Sequence, residues 1–165
     1  MKKNILFVID SLDCAGAEKS LVTLLSLLDY SKFSVDLMLF AHGSALEELV
    51  PKEVNIIKPL KYTEFAKLNY FKAINFSIKQ FNFKMLFSRM KFSMKIRKNE
   101  YRNSQIARIF WENISQVIES NPKTYDVAIS YAQGVPTFYV AEKVQAKKKF
   151  AWVNVSYRLN EEDKL

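Results

Sequence analysis

Asn4–Ile9 reads Asn-Ile-Leu-Phe-Val-Ile. The run is continuous, apolar and rich in β-branching, so as a strand it needs cover on both faces. That requirement points to a parallel sheet held between helical layers. The next residues fit it. A polar loop, Asp10 to Gly16, leads into Ala17, Leu21, Leu24, Leu25 and Leu28, spaced at three and four to form one apolar helical stripe. Ser34–Phe40 reads as a second strand, and Val54–Ile57 as a short third ended by Pro59. Asn103–Ile118 has a helical pattern, with Ile106, Ile109, Phe110, Ile114, Val117 and Ile118 on an inner face, and Asn121-Pro122 stops it. Val127–Tyr131 is a predicted fourth strand, Pro136–Val144 a helix opened by proline, and Phe150–Val155 a fifth strand.

Strands alternating with helices over short connections imply right-handed crossovers and a doubly wound parallel α/β sheet, with predicted order 3-2-1-4-5. In such sheets ligands bind beyond the carboxyl ends of the strands, near the reversal of order. Three loops therefore matter, after Ile9, after Tyr131 and after Val155.

Composition narrows the chemistry. At 165 residues and 49% hydrophobic, the chain can bury the core of one ordinary domain. The single cysteine, Cys14, excludes an internal disulfide framework and suits a reducing cytosol. The single histidine, His42, argues against a His-Asp-Ser triad or a multi-histidine metal centre, and the sequence calls for neither metal nor cofactor. Asp10 cuts the first apolar run too short for a signal peptide, and no run approaches a membrane span.

Charge is segregated. Residues 61–108 hold 12 basic residues against two acids, while the remainder holds 13 against 15. The same segment carries 10 of the 23 aromatics. It reads as an inserted basic, aromatic helical segment, two helices with a break near Asn82. Phe71, Ile74, Ile78, Phe81 and Met85 follow helical spacing, and Lys84, Lys91, Lys95, Lys98 and Arg102 share another helical face. The alternation of Phe81, Phe83, Met85 and Phe87 fits a strand as well. A basic amphipathic helix suits an anionic membrane surface or a lipid-linked acceptor; a solvated lysine face over apolar residues packed on the core explains the same pattern. Nucleic acid is not the expected partner.

The first loop, Asp10-Ser-Leu-Asp-Cys-Ala-Gly-Ala-Glu18, places small residues where a strand enters a helix. Its backbone N–H groups could take an anion or a sugar, or Gly16 could serve the turn alone. One glycine does not make a dinucleotide fingerprint, and Lys19 lacks the spacing of a P-loop. Trp152 ends a strand directed toward the same end of the sheet, as a stacking surface for a sugar or as a buried sheet residue.

Three stretches, Lys3–Leu12 with Ala15–Leu21, Asp126–Val144, and Lys149–Val153, together resemble the N-terminal domain of a family 4-type glycosyltransferase of GT-B architecture. The resemblance covers roughly 1–58 and 122–157, and no motif covers the basic middle. It implies a Rossmann-like domain, residues 1–157 including the 61–108 segment, that forms the acceptor side of a two-domain enzyme. Such an enzyme moves a sugar from a nucleotide-sugar donor to a glycan or lipid-linked acceptor, here a cell-surface polysaccharide or glycolipid, without an essential metal. By the same resemblance, Ala15, Gly16, Ala17, Glu18, Gln133, Gly134, Ser156 and Tyr157 would bind donor or acceptor. Asn154 occupies the position where the family usually has a catalytic histidine.

Two departures bear on activity. Ala15-Gly16 stands where the family commonly has two glycines, and Asn154 cannot titrate near neutral pH. Residues 158–165 form a charged tail leading toward a C-terminal donor-binding domain outside this sequence, so these residues alone are expected to lack turnover. The expected location is cytoplasmic, peripheral on the inner face of the cell membrane. The competing readings are a non-catalytic membrane-surface module that binds an acceptor and recruits a separate catalytic subunit, and a Rossmann-like domain binding a phosphorylated ligand at Gly16.

Overall fold

The computed structural model describes residues 1–81, 83–97 and 100–153. Chain order is β1 (Lys3–Ile9), α1 (Gly16–Ser26), β2 (Phe33–Leu39), β3 (Asn55–Ile56), α2 (Lys61–Lys67), α3 (Tyr70–Lys79), α4 (Phe83–Ile96), α5 (Asn103–Ile114), β4 (Thr124–Ser130), α6 (Val135–Lys143) and β5 (Gln145–Ala151). The elements divide between two units, one of residues 1–59 and 120–153, the other of residues 60–119.

The first unit is a five-stranded, all-parallel sheet of order β3-β2-β1-β4-β5. β1 lies between β2 and β4, with Ile5 opposite both Val35 and Val127. Its side chains alternate between faces. Ile5, Phe7 and Ile9 pack with Leu21 and Leu25 of α1 and with Val35, Leu37 and Leu39 of β2. Leu6 and Val8, both fully buried, point to the opposite face, and α6 packs on β1 with Tyr139 and Val140 buried. The unbroken apolar run of β1 is thus explained by cover from both sides, as a Rossmann-like α/β fold requires.

One polar cluster ties the sheet together. Asp36 of β2 is buried, and its carboxylate accepts from Tyr125 Oη at 2.7 Å, Lys123 Nζ at 2.9 Å and Asn55 Nδ2 at 3.0 Å. Burial pushes its pKa up, but the three donors and the lysine charge outweigh it and hold the carboxyl below its usual range.

The structure corrects the fifth strand. It was expected at Phe150–Val155 and instead runs over Gln145–Ala151, so Lys147, Lys148 and Lys149 lie inside it. β5 is an edge strand exposed along most of its length, where lysines remain hydrated and discourage pairing with another chain. Apolar patterning does not reveal a strand of that kind.

The second unit also differs from the sequence reading. The break near Asn82 is present on its described side, with α3 ending at Lys79 and Phe81 turning at φ 50°. A further break separates α2 from α3, where the Asn69 side chain accepts from the Lys72 N–H at 2.9 Å and starts a new helix. α5, expected from Asn103 to Ile118, ends at Ile114 and belongs to this unit; Phe110 meets Phe92 of α4 edge-on at 5.1 Å. Arg89 is turned inward and donates to the carbonyls of Phe65 and Leu68 at 3.3 and 2.8 Å. Leu60, the N-cap of α2, makes no side-chain cap bond; instead the Glu119 carboxylate accepts from the N–H groups of Lys61 at 2.8 Å and Tyr62 at 3.4 Å.

Candidate functional site

The order of the sheet reverses between β1 and β4, and the loops leaving these adjacent strands lie at the same carboxyl edge. Tyr131, just beyond β4, joins them. Its backbone N–H donates to the Val8 carbonyl at 2.8 Å, and its hydroxyl lies 3.0 Å from Ser20 Oγ of α1. Its ring meets Phe7 edge-on and stacks on Trp152 at 5.2 Å with an 11° interplanar angle. The Trp152 N–H donates to the Ser130 carbonyl at 2.8 Å, which places the end of β5 beside the same edge. Trp152 is half exposed (51%), so of the two roles read from the sequence, a buried sheet residue is corrected and an accessible aromatic face remains.

On the first loop, Ala15 is the N-cap of α1 and contributes no side-chain cap. Gly16 opens the helix, and a methyl added there would meet no atom within 4 Å. Ala17 and Glu18 follow in the first turn, both half-buried. On the second loop, Gln133 is half-buried and Gly134 adopts φ 90°, ψ −126°, a conformation that favours glycine. The turn into α6 is fixed by Ser130 and Thr137, whose hydroxyls both reach the Ala132 carbonyl at 3.1 Å. Ala15, Gly16, Ala17, Glu18, Gln133 and Gly134 therefore come from two loops flanking the reversal. Asn154, Ser156 and Tyr157 lie outside the described residues, as does Lys98.

Asp10 is the residue that sequence reasoning passed over, because it reads as the end of an apolar run. Its carbonyl accepts the N–H groups of Phe40 and Ala41 at 3.0 and 2.8 Å, tying the end of β1 to the end of β2. The residue keeps contact with solvent. Nonetheless desolvation of its carboxyl, with the charge of Glu18 adding to it, pushes the pKa up to about 6. Glu18 Oε2 is itself shielded from solvent and has no hydrogen-bond partner among the described residues. Two carboxyls thus stand near each other at the mouth of the central strand, equipped to bond hydroxyl groups. Among the described residues, no group of three or more His, Cys, Asp or Glu is placed to hold a metal ion. His42 lies past β2 with Nδ1 3.8 Å from Glu47, and Cys14 is exposed.

The cationic face read from the sequence divides between helices. Lys84, Lys91 and Lys95 lie on α4, which ends at Ile96, whereas Arg102 is the N-cap of α5 and its backbone N–H donates to Gln105 Oε1 at 3.0 Å. Lys95 is paired with Glu112 at 3.2 Å, and Lys91 lies 5.0 Å over the Phe87 ring. No described helix is long and apolar enough to cross a membrane.

Compared with known proteins, the sequence matches no family model and no curated protein.

Proposed function

We propose that this chain is the acceptor-side half of a glycosyltransferase, which moves a sugar from a nucleotide-sugar donor to a cell-surface glycan or glycolipid. The single observation that carries the reading is the set of groups beside the sheet's reversal, the carboxyls of Asp10 and Glu18 next to the open backbone at Gly16. A carboxylate pair bonds sugar hydroxyls, and the accessible Trp152 ring offers an apolar face to the C–H side of a pyranose. Gln133 adds an amide that can both donate and accept. In this reading the acceptor is bound here, and transfer requires a donor-binding half that completes the cleft and its stabilising charges. The proposed setting is cytoplasmic, consistent with a lone cysteine left exposed.

The test is titration of the chain with neutral and acidic oligosaccharides, followed by tryptophan emission. Of its two tryptophans Trp111 is buried, so the response reports Trp152. The expected result is saturable binding of a glycan, lost in Trp152→Phe emission and weakened about tenfold in Asp10→Ala, a loss corresponding to roughly 1.4 kcal/mol. Tight binding of a nucleotide or phosphorylated metabolite with no response to any glycan would overturn the reading in favour of a different Rossmann-like chemistry.

A further inference from the structure

In α3 and α4 one set of large apolar residues faces water, while Phe76, Met85 and Phe92 turn inward. The fully buried residues of α3 are Ala73 and Ser77, while Phe71, Ile74 and Ile78 are exposed, Phe71 at 82%. In α4, Met85 and Ser88 are buried, and Ser88 Oγ donates to the Asn113 carbonyl of α5. Phe83, Phe87, Met90 and Met94 are exposed at intervals of four, three and four, one stripe along the helix. Phe81, 88% exposed after the end of α3, precedes that stripe by two residues in the chain. An open hollow of about 370 Å³ is lined by Phe83, Lys84, Leu86, Phe87 and Met90.

A face this apolar needs an occupant, and its charge selects one. Neither helix contains an acid, and together they carry Lys72, Lys79, Lys84, Arg89, Lys91 and Lys95. Arg89 and Lys95 are engaged within the unit, but no ion pair is described for Lys72, Lys79, Lys84 or Lys91. A second copy would bring the same cations against these and be repelled. An anionic bilayer supplies both complements: headgroup phosphates for the lysines and an acyl boundary for the aromatic and methionine side chains.

We propose that α3 and α4 form a membrane-docking element that inserts Phe81, Phe83, Phe87 and Met90 into the headgroup–acyl boundary of an anionic bilayer, with Lys84 and Lys91 on the lipid phosphates. The inference goes beyond the sugar-transfer reading and does not rest on it. Insertion distinguishes it from charge attraction alone, because buried apolar area is insensitive to salt whereas lysine–phosphate attraction is screened.

The experiment is flotation of the protein with vesicles of phosphatidylcholine containing about one-third phosphatidylglycerol, whose negative surface potential attracts lysines, at low and at high salt. The expected result is binding that persists in part at high salt and falls at least tenfold in Phe83→Ser/Phe87→Ser. Lys84→Gln/Lys91→Gln should lose the salt-sensitive part. Thermal melts of all variants are compared, and exposed positions should leave them unchanged. As a second readout, Phe83→Trp should gain emission that shifts to the blue on vesicle addition and is quenched by lipids brominated near the headgroup. Equal binding by the Phe83→Ser/Phe87→Ser protein would overturn insertion. So would absence of vesicle binding by the parent chain; retention on single-stranded DNA, or a dimer abolished by Phe83→Ser/Phe87→Ser, would then identify the other occupant. Oligosaccharide titration without vesicles reports the sugar reading separately.

Discussion

At Asp10 a carboxyl is held where it costs stability. Its pKa of about 6 in the folded chain exceeds the ordinary value of 3.8, so between these pH values the native state keeps a proton that the unfolded chain has released. Stability therefore falls as pH rises from about 4 to 6, and the full cost is present above that window. Asp10→Asn removes the cost. We expect the variant to be more stable than the parent at pH 7.5, on the order of 1 kcal/mol because the residue retains water contact, and indistinguishable below pH 4. Urea unfolding across pH 4–8 checks this, and a variant less stable at pH 7.5 would refute it. A substitution that stabilises the fold while weakening glycan binding is the expected signature of a residue kept for function. None of this is legible in the sequence, where Asp10 only ends a hydrophobic run. Gly16 and Gly134 are legible as loop glycines but not as different ones. Only Gly134 is tied to its backbone conformation, since its φ is positive while Gly16 merely leaves open space above the helix start.

Strands are legible where both of their faces are buried and obscure where they run hydrated along an edge. β1 declares itself because each of its side chains needs an apolar neighbour, and the strand order follows from the alternation of elements. β5 is displaced from its expected place because three hydrated lysines at an edge look like a loop. α3 shows a subtler limit. Its apolar period is correct, yet the period specifies that a face exists and not which way it points, and here it points to solvent. The pairing of elements by buried charge is equally hidden: nothing in the sequence marks Asp36, which is the acceptor for Asn55, Lys123 and Tyr125. Asp36→Ala leaves the buried Tyr125 hydroxyl without that acceptor, and half-exposed Lys123 can turn to water. We expect a loss of about 2 kcal/mol, measured by chemical denaturation at pH 7. The loss should shrink on acidification, because the parent's carboxyl, held below its usual range, contributes stability above the unfolded pKa and surrenders it as pH falls through the folded value. A pH-independent difference would show that packing, not the carboxylate, carries the effect.

For the whole molecule, the decisive fact is that a helical unit interrupts a sheet without contributing a strand to it. The chain leaves the sheet unit at Pro59 and re-enters at Ser120, and every strand pairing described lies within residues 1–59 and 120–153. The two ends of the insertion are close, because the Glu119 carboxylate accepts from the Lys61 N–H at 2.8 Å. A short flexible linker can therefore span the gap at a modest entropic cost, since closure entropy grows only slowly with length. Replacing residues 61–118 by about eight Gly and Ser residues should leave a cooperatively unfolding sheet unit, with its core of Phe7, Leu21, Leu25 and Leu37 intact. That protein should keep the glycan response of Trp152 and lose vesicle flotation entirely. Circular dichroism, thermal melting and the two binding assays together decide the matter. If the shortened chain fails to fold, the helical unit is part of the sheet's stability rather than an addition to it. If it folds and still floats with anionic vesicles, the docking element lies in the sheet unit, where the exposed lysines of β5 would be the place to look.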